Sequence, residues 1–223
     1  MKLNLETFTK MLDCTLTHPT ASLDELRQML ATAKEYHFHT VLGPRCFNEF
    51  IVNELKGTGV LPCSGCSATL GHDPTEVKAF HTRFAVSQGI KEIDMVMNLS
   101  YLKSGLYNDV IHDIAAVKQA AGANVPVKCI IEAPLLSDEE IITACKLVME
   151  GGAEFIKTAS GLKGATTLHH VELIRNTVDA KTKIKAASGI RDADTVGQMV
   201  DLGVERFGIS YGSVLEIIRE LER

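Results

Sequence analysis

Residues 154–191 read EFIKTASGLKGATTLHHVELIRNTVDAKTKIKAASGIR. Phe155-Ile156-Lys157-Thr158 and Lys183-Ile184-Lys185-Ala186-Ala187 are short, apolar and β-prone, and the stretch at about 166–179 between them has helical spacing. Strand, loop, helix and strand over this length form one parallel crossover unit. Each strand of the unit runs into a glycine-bearing turn.

The same unit recurs outward in both directions. Strand candidates are 11–16, 39–43, 60–66, 92–97, 126–132, 154–159, 183–188 and 205–210. Helix candidates are 22–37, 45–56, 74–88, 106–121, 138–150, 166–179, 192–202 and 213–222. Eight alternations in 223 residues, with no linker or low-complexity segment, predict a (β/α)₈ barrel in a single domain over 1–223. An open doubly wound sheet is the alternative. The strand runs read as apolar on both faces, which either architecture requires.

Local signals support the helices. Ser22 with Glu25 and Ser137 with Glu140 have capping-box spacing, and Asp73-Pro74 reads as a cap followed by a first-turn proline. Leu23, Leu26 and Leu30 repeat as one apolar face, and Val77, Phe80 and Phe84 as another. Gly57, Gly122, Gly151 and Gly203 follow helix ends, where a left-handed residue is commonly needed.

Composition narrows the function classes. A net charge of -5 and a pI near 5.9 give no general attraction to nucleic acid or anionic lipid. Met1-Lys2-Leu3-Asn4-Leu5-Glu6 opens without an apolar h-region, and no run approaches the ~20 residues of a membrane span. Six scattered cysteines fit free thiols in a reducing cytoplasm. Cys63 and Cys66 have CxxC spacing, but no second pair stands at zinc-site spacing, so no metal is expected.

Two lysines sit inside apolar strands. A buried ammonium loses hydration, so its pKa falls, and a second ammonium nearby lowers it further. Lys157 and Lys185 are therefore candidates for amine chemistry, although a lysine near a strand end can also snorkel to solvent or pair with a carboxylate. Lys183, earlier in its strand, reads as structural. Asp94, in Glu92-Ile93-Asp94-Met95-Val96-Met97, is the third misfit; it is either a proton-transfer group or a carboxylate paired with a lysine such as Lys128. Glu132 is a comparable candidate on chemistry alone, and Asp13 could orient a substrate hydroxyl. His169-His170 reads as a solvated helix start. Ser160-Gly161-Leu162-Lys163-Gly164, Ser188-Gly189-Ile190-Arg191 and Gly208-Ile209-Ser210-Tyr211-Gly212 follow the last three strands. Glycines there let backbone N–H groups approach an anion, and barrels often bind phosphate after strands seven and eight. Ordinary βα-turn chemistry uses glycine too.

At these motifs the chain resembles the 2-deoxyribose-5-phosphate aldolases, class I aldolases with a (β/α)₈ barrel. The resemblance runs from Asp13 to Tyr211 and is carried by Glu92-Ile93-Asp94-Met95-Val96-Met97-Asn98, Glu154-Phe155-Ile156-Lys157-Thr158, Lys185-Ala186-Ala187-Ser188-Gly189-Ile190-Arg191 and Arg206-Phe207-Gly208. It implies retro-aldol cleavage through a Schiff base on Lys157, with Asp94 and Lys185 as proton donors and acceptors. It assigns Asp13, Thr15 and Ser160 to substrate binding, and Gly161, Ser188, Gly189, Gly208 and Ser210 to phosphate. It implies no cofactor, small phosphosugar and aldehyde substrates, and a homodimer. Three segments depart from the family: Ser210-Tyr211 in place of two small hydroxyl residues, Thr40-Val41-Leu42-Gly43-Pro44, and Ser67-Ala68-Thr69-Leu70-Gly71. A phenol at 211 would weaken or reshape the phosphate site. A related aldolase for a different phosphosugar, and a phosphate-binding barrel without catalysis, are the alternatives.

Overall fold

The inner and outer faces of the strands carry different chemistry, and this organises the molecule. The computed structural model describes residues 3–68, 70–161 and 163–223, so Met1, Lys2, Thr69 and Leu162 lie outside the described residues. That leaves the expectations that touch Thr69 and Leu162 without a structural description. In chain order the elements are α1 (Leu5–Lys10), β1 (Leu12–Thr15), α2 (Leu23–Glu35), β2 (Thr40–Leu42), α3 (Asn48–Leu55), β3 (Leu61–Cys66), α4 (Thr75–Ser87), β4 (Glu92–Val96) and α5 (Leu99–Lys103). They continue as α6 (Tyr107–Ala121), β5 (Val127–Ile130), α7 (Asp138–Gly151), β6 (Phe155–Lys157), α8 (Leu168–Thr177), β7 (Lys183–Ala187), α9 (Ala193–Asp201), β8 (Arg206–Ser210) and α10 (Tyr211–Leu221). Short 3₁₀ turns at Arg45–Phe47 and Ala133–Leu135 interrupt two connections.

Every strand pairs in parallel with its sequence neighbour, and β1 also pairs with β8, which closes the barrel. The fold is the expected (β/α)₈ barrel, and the open sheet is ruled out by the β1–β8 ladder. Alternate residues of each strand point outward onto the helices: Cys14, Val41, Ile93, Cys129, Ile156, Ile184 and Phe207 all join one buried apolar cluster with helix residues such as Leu26, Ile51, Ile114 and Val148. The inward set carries the charges: Asp13, Glu92, Asp94, Lys128, Lys157 and Lys185 are all buried, and Leu42, Val96, Ile130 and Ala187 follow them at the cavity. The reading of the strands as apolar on both faces is thus corrected. Period-two alternation separates an apolar outside from an inside that holds the strands' buried charges.

Both expected capping boxes form, with Ser22 and Ser137 accepting from the backbone N–H of Glu25 and Glu140. Three local expectations are corrected. Pro74, not Asp73, occupies the cap of α4, and no side chain bonds there. After α7 the left-handed residue is Gly152 (φ 81°); Gly151 is still helical and is needed because a Cβ there would lie 2.6 Å from Ile114 Cγ2. Most notably, Val77, Phe80 and Phe84 face solvent, while α4 buries Lys78, Ala79, Thr82 and Ala85. Lys78 can be buried because Asp113 of α6 accepts from its Nζ at 2.5 Å and the Val96 carbonyl at 3.1 Å. Among the described residues, no helix is long and apolar enough to cross a membrane.

Candidate active site

The strand register gathers the charged residues. Lys157 of β6 pairs with Lys185 of β7, Asp94 of β4 with Lys128 of β5, and Lys185 in turn with Arg206 of β8. Their inward side chains meet at one carboxylate. Asp94 Oδ2 accepts from Lys157 Nζ and from Lys185 Nζ at 2.8 Å each, and Oδ1 accepts from Lys128 Nζ at 3.1 Å. Asp13 lies next to the same cations, with Oδ2 2.6 Å from Lys185 Nζ and 2.9 Å from Lys128 Nζ. Arg206 donates to Asp13 Oδ1 at 3.0 Å and lies 3.6 Å from Glu92, which also contacts Lys128 and accepts from His39 Nε2 at 3.3 Å.

These contacts set the protonation states. Burial lowers the Lys157 pKa and the neighbouring Lys185 ammonium lowers it further, outweighing the attraction of Asp94. Burial acts on Lys185 and Lys128 too, but there Asp13 and Asp94 prevail and both are held above the usual lysine range. Burial opposes ionisation of Asp94, yet Lys128, Lys157 and Lys185 hold its carboxyl well below the usual range. Asp13 is depressed in the same way, with burial outweighed by Lys128, Lys185 and Arg206. The site is therefore an amine of lowered basicity against an ionised carboxylate, backed by fixed ammonium groups.

Above this network a cavity of about 710 Å³ opens at the C-terminal ends of the strands. Of the expected residues, Thr15, Asp94, Lys157, Ser160, Gly161, Ser188, Gly189, Gly208 and Ser210 line it. Asp13 and Lys185 are fully buried below it and reach it through Asp94 and Lys157. Lys183 is exposed at the opposite end of β7, its Nζ 5.5 Å over the Phe155 ring. Glu132 turns away from the cavity in a left-handed conformation (φ 53°) and accepts the Ser160 N–H at 3.1 and 3.2 Å, which pins the loop after Lys157. His169 sits on the surface at the start of α8, within 2.9 Å of Asp138.

The glycine turns have specific causes. A Cβ at Gly189 (φ 78°) would lie 2.4 Å from Ala165 Cβ. A Cβ at Gly208 would meet Ala187 Cβ and Lys185 Cε at 3.0 Å each and Lys157 Cε at 3.7 Å, so this glycine makes room for both lysine stems. Helix α10 begins without a side-chain cap, unlike α8 and α9, and its first residues Tyr211, Gly212 and Ser213 line the cavity. Tyr211 turns its hydroxyl to Thr32 of α2, 2.9 Å away.

Sequence reasoning missed four participants. Glu92 and Arg206 complete the network, and Lys128, considered only as a partner for Asp94, lies at its centre. The signal was present in Val127-Lys128-Cys129-Ile130, a lysine among apolar residues like Lys157. Cys63 is the fourth: its thiol donates to Asp94 Oδ1 at 3.4 Å, and burial pushes its pKa up, so it stays a thiol. Arg191 and His18 also line the cavity mouth.

The family model described as DeoC/LacD family aldolase matches residues 63–213, which span β3 to the start of α10. The chain belongs to that aldolase family. A deoxyribose-phosphate aldolase of Staphylococcus epidermidis is 37% identical over 214 residues, 96% of each chain. One from Clostridium tetani is 38% identical over 95% of this aldolase and 97% of that protein. Among solved structures, a candidate deoxyribose-phosphate aldolase from Coccidioides immitis superposes with a TM-score of 0.94 at 30% identity, covering 100% of this aldolase and 88% of that chain.

Proposed function

We propose that this enzyme cleaves 2-deoxyribose 5-phosphate reversibly to acetaldehyde and glyceraldehyde 3-phosphate, with Lys157 as the Schiff-base residue. The observation that carries the reading is the Lys157 amine at the cavity floor, lowered in pKa and 2.8 Å from an ionised carboxylate. Neutral Lys157 adds to C1 of the open-chain sugar and water leaves, giving an iminium. Loss of the C3 hydroxyl proton breaks the C2–C3 bond, and its electron pair moves toward the iminium nitrogen to form an enamine. Glyceraldehyde 3-phosphate departs, C2 takes up a proton, and hydrolysis frees acetaldehyde and the amine. The iminium supplies the electron sink, so the cycle requires no cofactor.

Asp94 is the proton carrier that meets the substrate. Lys185 acts from beneath as its proton partner through the shared Oδ2, and Asp13 holds Lys185 charged. Thr15 and Ser160 border the sugar. Gly161, Ser188, Gly189, Gly208 and Ser210 offer backbone to the phosphate, helped by the uncapped start of α10 and by Arg191. The enzyme acts as a single-domain homodimer in the reducing cytoplasm on small phosphorylated and aldehyde substrates, without nucleic-acid or membrane partners.

The test is borohydride reduction in the presence of acetaldehyde, followed by peptide mass analysis. An ethyl adduct on the Lys157 peptide is expected, and a label mainly on Lys185 would overturn the assignment. Retro-aldol rates for deoxyribose with and without its 5-phosphate test the substrate; equal kcat/KM for the two would remove the phosphate role.

A further inference from the structure

Arg206 opens β8 at the floor of the barrel, the end away from the cavity. Residues at that end of a (β/α)₈ barrel ordinarily serve stability, because the chemistry sits at the other end. Four short contacts nevertheless join Arg206 to the amine. It donates to Asp13 Oδ1 at 3.0 Å, and Asp13 Oδ2 lies 2.6 Å from Lys185 Nζ. Lys185 donates to Asp94 Oδ2 at 2.8 Å, and Lys157 donates to that same oxygen at 2.8 Å.

The two oxygens of Asp13 have different partners: Oδ1 faces Arg206, and Oδ2 faces Lys185 and Lys128. A carboxylate anchored through one oxygen by a guanidinium fork keeps its other oxygen in a fixed direction. Arg206 thereby sets the face that Asp13 turns to Lys185. The fork is itself held: Nη2 lies 3.6 Å from Glu92, and the guanidinium carbon lies 5.8 Å over the buried Phe155 ring. Lys183 lies over the same ring at 5.5 Å and forms no ion pair among the described residues. His39, just before β2, meets Glu92 at 3.3 Å, and Lys128 of β5 stands behind both carboxylates.

Charge works in the same direction as orientation. Without Arg206, the buried carboxylates of Asp13, Glu92 and Asp94 would have only Lys128 and Lys185 against them. The next cation in contact with the set is Lys157, on Asp94. A buried carboxylate without a counter-charge is costly, so the set would draw a proton onto Lys157. We propose that Arg206 is a positioning residue for the reaction: from the barrel floor it anchors Asp13 and supplies the third positive charge, so that Lys157 is not held as a counter-ion. The inference rests on the reading of Lys157 as the Schiff-base amine and names the group that keeps that amine available.

The test is the pH profile of kcat/KM for retro-aldol cleavage, whose acid limb reports the free amine. Arg206→Gln should move that limb up by about one pH unit, the scale of one buried charge a few contacts away, with the plateau kcat within a few-fold. Arg206→Lys keeps the charge and loses only the fork, so its limb should stay close to that of the unmodified enzyme. Glu92→Gln removes a negative charge instead and should move the limb down. Arg206→Gln combined with Glu92→Gln restores the balance and should bring it back. A purely structural arginine would lower the rate equally at every pH and would not be rescued by Glu92→Gln; that pattern overturns the proposal. Where Arg206→Gln does not fold, Glu92→Gln and the double variant decide, and a limb that neither moves nor returns overturns it equally. Borohydride trapping of acetaldehyde in the unmodified enzyme keeps the two readings apart. A label absent from Lys157 removes the Schiff-base assignment, whereas a label on Lys157 with an unresponsive limb removes only the role of Arg206.

Discussion

Asp94→Asn separates two jobs that one carboxylate performs. As an anion it favours a proton on Lys157; as the proposed base it moves protons on the substrate. At the 2.8 Å separation seen here, and an effective dielectric of about 20, a unit charge pair attracts by roughly 6 kcal/mol before desolvation is counted. All of that attraction opposes deprotonation of Lys157, while burial and Lys185 act the other way. A neutral amide removes the opposition and leaves the rest. The acid limb of kcat/KM against pH, which reports free amine, should therefore move to lower pH in the variant.

Turnover should nevertheless collapse. A positioned proton carrier is worth about 10²–10⁴ in rate, or roughly 3–5.5 kcal/mol of barrier. Folding should survive, because Lys185 keeps Asp13 at 2.6 Å and Lys128 keeps both Asp13 and Glu92. The assay is the pH profile of glyceraldehyde 3-phosphate release, together with borohydride trapping of acetaldehyde at Lys157. The expected result is trapping retained, kcat lowered by orders of magnitude and the acid limb shifted down. An acid limb that moves upward, or trapping lost along with turnover in a folded protein, would refute this division of labour.

Lys185→Leu should shift the same limb the opposite way, because it removes an ammonium that keeps Lys157 neutral and frees Asp94 to pair with Lys157 alone; a downward shift would contradict it. Gly208→Ala presses on Lys185 Cε, so displacement of a few tenths of an ångström should lower kcat about tenfold, given that misplacement by 1 Å can cost 10²-fold. A raised KM at normal kcat would instead tie Gly208 to phosphate alone. Tyr211→Phe removes only the bond to Thr32, so thermal melts should show a loss of about 0.5–1.5 kcal/mol, with KM for the phosphorylated sugar unchanged. Asp13, Glu92 and Asp94 are all held below their ordinary values, so their contribution to stability is complete above the unfolded carboxylate range near pH 4 and is lost as pH falls below it. Melting temperatures that stay constant from pH 7 down to 3 would argue against that network.

The candidate reaction centre was legible because charged residues inside apolar strands are costly and therefore few. Lys157, Lys185 and Asp94 stood out for that reason, and the fold brings all three within reach of one carboxylate oxygen. Lys128, Glu92 and Arg206 carried the same signal. Glu92-Ile93-Asp94 and Lys183-Ile184-Lys185 alternate polar with apolar, which marks one charged face, yet short runs judged by total hydrophobicity hide that alternation. Asp13 was placed at the substrate because strand position alone does not give depth; the next inward residue of β1, Thr15, lines the cavity, while Asp13, two residues earlier, is fully buried. The α4 stripe shows another limit. Val77, Phe80 and Phe84 have core periodicity, but the face that is buried includes Lys78, and acceptors remote in sequence, the Val96 carbonyl and Asp113 of another helix, make that burial tolerable.

The partners within the barrel also favour Lys157 over its neighbours as the amine of the proposed Schiff base. Asp13, Glu92 and Asp94 supply three negative charges. Lys128 touches all three, Lys185 touches Asp13 and Asp94, and Arg206 lies against Asp13 and Glu92. Those three cations balance the three carboxylates. Lys157 touches Asp94 alone and is the only one of the four that lines the cavity. Deprotonating Lys128 or Lys185 would leave buried carboxylates without their counter-charge, a penalty of several kcal/mol in such surroundings. Deprotonating Lys157 leaves the interior neutral. The proposed nucleophile is thus the one lysine that this network does not need as a counter-charge, and a change at Arg206, which lies against Asp13 and Glu92, alters the same balance as a change at Lys185.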